Sequence, residues 1–270
     1  MKKLIIALAM MFATTVAHAD TITLINTGKP GGSSDARTKL YHEGLTNMGY
    51  DVQFENINKI GQSVDFFQKL DGPAMMVYVN IYAKNQPVTH NTENFVMVEY
   101  LQPMFVCSAK PLADLGNEVT VAYGKSFNPE MVAKIVGLTG KTAKVIPYKN
   151  SSAVLEAMLG GDVDIAFNNQ GKTLKYIKSG QGTCFGNTSD GEVIGVAPLA
   201  ANYDVDFELP IMVATVISKG ISVDSLRKDL LALQNTTPFV EYHSKKKLAK
   251  FTTTRQEELD MVVASEALWK

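Results

Sequence analysis

Two stretches of this chain share one design: an apolar strand, a short Gly/Ser loop, and a helix that the loop opens. In the first, strand 21–26 runs through Gly28-Lys29-Pro30-Gly31-Gly32-Ser33-Ser34-Asp35 into an amphipathic run ending near Met48. In the second, strand 119–123 runs through Gly124-Lys125-Ser126-Phe127-Asn128-Pro129-Glu130 into a run ending near Leu138. A loop of this kind presents unpaired backbone N–H groups at the positive end of a helix, where an anion can sit. One such loop in each half of a chain points to a small acid gripped between two lobes.

The order of elements fits that reading. Helix 34–48 carries Leu40, Tyr41, Leu45 and Met48 at helical spacing and stops at Gly49. Strand 51–55, a helix over 62–70 facing inward with Val64, Phe67 and Phe66, and the apolar strand 74–79 complete a β-α-β-α-β unit. The second half repeats it. Asn128 caps a helix with Val132, Ile135 and Val136 on one face. Strand 143–147 leads to a Ser151/Ser152 cap, a helix with Val154, Leu155, Met158 and Leu159, and strand 163–167. Alternation of this type predicts an α/β fold with parallel sheets covered by helices. Ligands of such sheets collect at the carboxyl ends of the strands, where both loops lie. The last third reads as helical: Ser222 caps Leu226, Leu230 and Leu233, Pro238 begins a short helix, and Thr254-Arg255-Gln256-Glu257 is a capping box.

Lys2-Lys3, an apolar stretch over 4–12 and Ala17-His18-Ala19 form a secretory signal with its cleavage site. The stretch is too short to span a bilayer, so no direct membrane insertion is expected. Without Lys2 and Lys3, 27 acidic residues face 24 basic ones, a balance that gives no reason to expect nucleic acid as a partner. In an exported protein the two cysteines, Cys107 and Cys184, are expected to form a disulfide worth about 4 kcal/mol, with two buried thiols as the alternative. The isolated histidines have no metal-ligand spacing, and no cofactor is expected. Gly137-Leu138-Thr139-Gly140-Lys141-Thr142 lacks the first Gly of a phosphate loop, because Ile135 stands there. There is no G-x-S-x-G, H-E-x-x-H or Cys–His arrangement, so the chain does not read as an enzyme.

Several pieces together resemble a known family. They are Gly31-Gly32-Ser33-Ser34-Asp35 with Arg37, Tyr50-Asp51-Val52-Gln53-Phe54-Glu55-Asn56, Lys144-Val145-Ile146-Pro147-Tyr148-Lys149, Gly160-Gly161-Asp162-Val163-Asp164-Ile165-Ala166-Phe167-Asn168-Asn169, Tyr176-Ile177-Lys178-Ser179-Gly180 and Glu266-Ala267-Leu268-Trp269-Lys270. The set is similar to the solute-binding receptors of tripartite tricarboxylate transporters, the Bug-type periplasmic binding proteins, from residue 20 to the C-terminus. The resemblance implies a type II periplasmic binding fold: two β-α-β lobes, a hinge and a cleft that closes on a small carboxylate. It implies a monomer in the periplasm that delivers its ligand to a permease of a large and a small membrane subunit. A sensory protein passing occupancy to a membrane histidine kinase would need the same closure, and an exported α/β enzyme is a third reading. The implied division is 1–19 signal peptide, 20–110 first lobe, 111–213 second lobe with crossings near 109–117 and 207–213, and 214–270 back in the first lobe. The expected ligand-binding set is Gly31, Gly32, Ser33, Ser34 and Asp35 with Asn80 in the first lobe, and Gly124, Lys125, Ser126, Phe127 and Asn168 in the second. The family commonly has an acidic residue where this chain has Asn168, and a Gly-rich, His-containing loop where this chain has Lys125. Lys29, Lys59 and Lys125 are candidates for the counter-charge, Tyr78, Tyr82, Tyr123 and Phe127 for the pocket wall. Lys245-Lys246-Lys247 reads as a solvated face.

Overall fold

The computed structural model describes residues 21–57, 59–79, 91–125, 127–205, 212–248 and 253–267. The signal-peptide segment, Asn80, Tyr82, Ser126 and most of the predicted second crossing lie outside them.

The first sheet begins with β1 (Ile22–Asn26), α1 (Ser33–Asn47), β2 (Val52–Asn56), α2 (Ile60–Lys69) and β3 (Ala74–Val79), followed by β4 (Phe95–Leu101). β2, β1 and β3 are parallel neighbours. The returning strand β10 (Met212–Ile217) runs antiparallel between β3 and β4, giving the order β2-β1-β3-β10-β4. β3 is buried along its whole length. Its side chains alternate between two cores: Met75, Val77 and Val79 face one layer, Ala74, Met76 and Tyr78 the other. That two-sided burial is why the segment reads as a continuous apolar run.

The second sheet repeats the plan with β5 (Met104–Ser108), β6 (Glu118–Gly124), α3 (Pro129–Gly137), β7 (Thr142–Tyr148), α4 (Ser151–Leu159), β8 (Ile165–Asn169), α5 (Gln170–Ser179) and β9 (Thr183–Asn187). Its order is β7-β6-β8-β5-β9, parallel through β7, β6 and β8, with β5 antiparallel to β8 and β9. Each sheet therefore inserts one antiparallel strand supplied by a crossing from the other. The short helix α6 (Leu199–Tyr203) precedes β10. After β10 come α7 (Val223–Leu233), α8 (Thr237–Lys246) and α9 (Arg255–Ala267).

Two expectations need correction. The chain leaves the first sheet at Gln102–Pro103, not near 109–117, since β5 already belongs to the second sheet. β4 and β5 are separated by only two residues, and that apolar continuity hid the break. Met48 and Leu159, expected on buried helix faces, are exposed at 43% each, because Met48 is the C-cap of α1 and Leu159 ends α4. Among the described residues no helix is long and apolar enough to cross a membrane.

Cys107 and Cys184 are register partners on β5 and β9 and form a disulfide. The bridge stays within the second sheet and does not reach the crossing.

Candidate functional site

The loop after β1 is shaped by its own hydrogen bonds. Asn26, buried at the end of β1, accepts from the Gly28 N–H through Oδ1 (3.0 Å). Its Nδ2 donates to Gly28 O, Asp35 Oδ1 and Asn56 Oδ1. Lys29-Pro30-Gly31-Gly32 forms a turn closed by the Gly32 N–H donating to Lys29 O (3.0 Å), with Gly31 at φ +74°, a conformation that suits glycine. The loop lies so close to α1 that a Cβ on Gly28 would fall 2.4 Å from Ser34 Cβ. Asp35 is buried behind it, accepting from the Gly31 N–H (2.8 Å) and from Lys39 Nζ (2.9 Å). The Gly31 N–H, then Lys39, hold its carboxyl below the usual carboxylate range.

Facing this loop are two helix starts of the second lobe. Asn150 caps α4 and Asn169 caps α5, accepting from the N–H groups of Ala153 and Lys172. They are tied together: Asn168 Nδ2 donates to Ser151 O (2.8 Å) and Asn169 Nδ2 to Ser151 Oγ (2.9 Å). Gln170 Nε2 then reaches the end of α8, donating to the carbonyls of Lys246 and Lys247. α8 itself packs on α1, with the rings of Tyr41 and Phe239 4.7 Å apart.

Between these elements lies a cavity of about 690 Å³. Its walls include Gly28, Lys29, Gly31, Gly32 and Ser34 from the first lobe and Gln102 at the crossing. Ser151, Asn169, Gly171, Lys172 and Lys175 come from the second lobe, and Tyr242, Lys245 and Lys246 from α8. The starts of α1, α4 and α5 all open on it. Five lysines and, among the described residues, no carboxylate line it. The Lys246 ammonium is pushed down from its ordinary value, first by burial and then by Lys245, Lys175 and Lys172. Behind the wall, Arg37 on α1 pairs with buried Glu99 (3.3 Å) and donates to Tyr100 Oη (3.0 Å), whose hydroxyl is hydrogen-bonded to Tyr242. Burial pushes the Tyr242 phenol well up. A second cavity, of about 540 Å³, lies beside the crossing. Leu101, Leu174, Ile177, Val193 and Ile194 give it aliphatic walls, and its two lysines, Lys178 and Lys247, are matched by Asp190 and Glu192. Among the described residues no His, Cys, Asp and Glu cluster is placed to hold a metal ion.

The expected site residues separate on this map. Gly31, Gly32 and Ser34 line the cavity, Ser33 opens α1 beside them, and Asp35 supports the loop from inside. Asn168 is buried behind the second wall. Gly124, Lys125 and Phe127 are not in the wall: the Lys125 N–H bonds Tyr148 O, and Phe127 packs edge-on against Phe167. Tyr78 and Tyr123 are core residues, and Lys59 precedes α2 away from the cavity. Lys172, Lys175 and Tyr242 carry no local signal in the sequence; Lys245 and Lys247 are exposed, as a solvated face requires, while Lys246 is half-buried, and Lys245 and Lys246 border the cavity. The Asn168-Asn169 pair before a polar helix was the one local sign of that wall.

No protein-family model matches the chain, and no curated protein matches it in sequence. Solved structures do. A TctC solute-binding protein from Polaromonas matches with TM-score 0.72 at 14% identity, over 92% of this chain and 96% of that one. R. palustris Rpa4515 with adipate matches with TM-score 0.71 at 16% identity, over 92% and 94%. MatC from Rhodopseudomonas palustris with bound malate matches with TM-score 0.67 at 12% identity, over 92% and 97%. The chain has the fold of these two-lobed binding proteins.

Proposed function

We propose that this protein is an exported solute-binding receptor of the tripartite tricarboxylate type, which captures a small organic anion between its lobes and hands it to a membrane permease. The observation that carries the reading is the cavity itself: three helix starts and five lysines converge on it with no carboxylate in the described wall. A helix start contributes about 0.3–1 kcal/mol to an anion, and up to about 2 when partly buried. Three starts, several ammonium groups and hydroxyl donors can together reach the roughly −8 kcal/mol of micromolar binding. The volume suits a small molecule rather than a polymer. Rpa4515 and MatC, which share the fold, have adipate and malate in their structures, and this supports an organic acid here too.

The anion would enter against the loop at Gly31, Gly32 and Ser34 and be enclosed as Ser151, Asn169 and Lys172 approach from the second lobe. Closure then presents one surface to a permease only when the cleft is filled. A thermal-shift screen of the purified protein against small organic anions tests this. At least one is expected to raise the melting temperature, because a ligand of the native state stabilises it. If none of them does, anion capture is wrong. A selective shift with an uncharged sugar would point to a different solute.

A further inference from the structure

The five lysines of the cavity fall into two groups. Lys172 at the start of α5 and Lys246 at the end of α8 are half-buried. Lys29 on the loop after β1, Lys175 on α5 and Lys245 on α8 are exposed. An exposed ammonium contributes little to a fixed ion pair, because water and salt screen it and its long side chain must be immobilised. These three are therefore weak as grips. Their charge still acts at a distance on an anion that has not yet arrived, and a cleft lined by one sign of charge focuses that field.

The rest of the chain makes this local field matter. Without Lys2 and Lys3, 24 basic residues stand against 27 acidic ones, so net charge does not attract an anion to the protein. At the cavity the balance is reversed, with five lysines and no carboxylate among the described wall residues. Carboxylates on the same elements do not cancel it. Asp35 is buried behind the loop and paired with Lys39 (2.9 Å). Glu241, one turn before Lys245 on α8, is exposed and outside the wall, and offsets one of the three exposed charges at most. The exposed lysines come from three elements, so the field covers the cleft from both lobes. Lys246 feels it: Lys245, Lys175 and Lys172 add to burial in pushing its ammonium down.

From this we propose that Lys29, Lys175 and Lys245 steer the anion into the cleft, while Lys172 and Lys246 hold it there. The exposed lysines set the association rate and the half-buried ones the residence time. The proposal rests on the anion-capture reading above and assigns separate roles in it to two sets of side chains. It makes the entry step selective for charge, since the rate gained by steering grows with the charge of the anion.

Stopped-flow fluorescence on the purified protein with malate, adipate and citrate separates the two rates. For each of these that binds, the combined Lys29→Gln, Lys175→Gln and Lys245→Gln variant should lower kon about ten-fold at an ionic strength of about 0.01 M and leave koff within about two-fold. The deficit should close towards about 1 M salt, where the Debye length falls to about 3 Å. Where citrate and malate both bind, kon should fall more steeply with salt for citrate. Lys172→Met and Lys246→Met should each raise koff about ten-fold, with the smaller part of the affinity loss in kon. The combined Lys134→Gln, Lys144→Gln and Lys228→Gln variant removes the same charge from exposed lysines outside the wall and should leave both rates within about two-fold. Circular dichroism of the variants confirms that they are folded. A cavity triple variant that loses affinity through koff, with kon unchanged, means that the exposed lysines grip; steering is then overturned and anion capture stands. A control triple that slows association as much as the cavity triple would put the cause in net charge and overturns the proposal too. So does an unchanged koff in both methionine variants. If none of the three anions binds, the capture reading fails for organic acids and the proposal with it.

Discussion

The Asp35 carboxylate faces inward and holds the loop after β1 from behind, through the Gly31 N–H and the Lys39 ammonium. Its folded-state pKa is lowered, so its contribution is fully present above the ordinary carboxylate value of about 4 and is lost as pH falls through the lowered one. Asp35→Asn should therefore remove an acid-side loss of stability, visible as a flatter melting temperature below about pH 4 than the unmutated protein shows. An unchanged acid limb would mean that other carboxylates dominate there. Gly28 tests the same loop sterically. A Cβ at 2.4 Å from Ser34 Cβ cannot be accommodated unless the loop or α1 moves, so Gly28→Ala should cost about 1–3 kcal/mol in denaturant melts and weaken anion binding. Normal stability with normal binding would show that the loop is free to shift. That Gly31-Gly32-Ser33-Ser34 forms a turn opening a helix was readable because the turn chemistry and the helix start are local. The inward role of Asp35 was not, because its partner Asn26 lies nine residues away on the preceding strand. The lysines were harder still: Lys172 and Lys246 become neighbours only when α5 and α8 meet.

Helices with local signals were legible and α5 was not. Thr254 and Glu257 form the expected capping box, with the Thr254 N–H donating to Glu257 Oε2 (2.8 Å) and the Glu257 N–H to Thr254 Oγ1 (3.3 Å). Leu226, Leu230 and Leu233 are buried on α7, as their spacing predicts. α5 opens with Gln170-Gly171-Lys172, polar and glycine-containing, and its buried side chains Gln170, Thr173 and Tyr176 give no apolar stripe. Its start is fixed by Asn169, whose side chain both caps the helix and grips Ser151. Asn169→Ala should cost about 1 kcal/mol of stability and lower anion affinity, read by chemical denaturation and calorimetry on one preparation. Unaltered affinity would separate the cap from the site. The C-terminal helices are fastened differently. Glu258 on α9 takes two bonds from Arg227 on α7, at 2.7 and 2.9 Å, and one from the Val98 N–H of β4. Glu258→Ala leaves the largely buried Arg227 without its carboxylate and should destabilise the protein by about 3 kcal/mol, with the ligand constant of the folded fraction unchanged. A loss well under 1 kcal/mol would mean that water takes the place of the carboxylate.

Across the whole molecule, the two sheets are built alike, each with three parallel strands, one antiparallel strand from a crossing, and an edge strand. The α/β alternation made the parallel strands legible. The strand exchange was not, because Met104–Ser108 continues an apolar run from which only Gln102 and Pro103 mark the exit. That exchange decides what the disulfide can do. Cys107 and Cys184 lie on adjacent strands of the second sheet, so the bridge closes a chain loop of sequence separation 77 without joining the lobes. On the chain-entropy model its loss costs roughly 4 kcal/mol, nearly all of it in the second lobe. Had the bridge spanned the crossing, reduction would instead loosen the lobes and change closure. The two cases separate experimentally. Reductant should lower the melting temperature, while the decrease in radius of gyration on adding a bound anion, measured by small-angle X-ray scattering below the transition, should match that of the oxidised protein. A ligand-driven compaction that appears or grows only after reduction would place the restraint at the crossing and refute the assignment of the bridge to the second lobe alone. If closure proves independent of the bridge, the expected joint is the chain crossing at Gln102–Pro103, where Gln102 lines the cavity and would couple a bound anion to it.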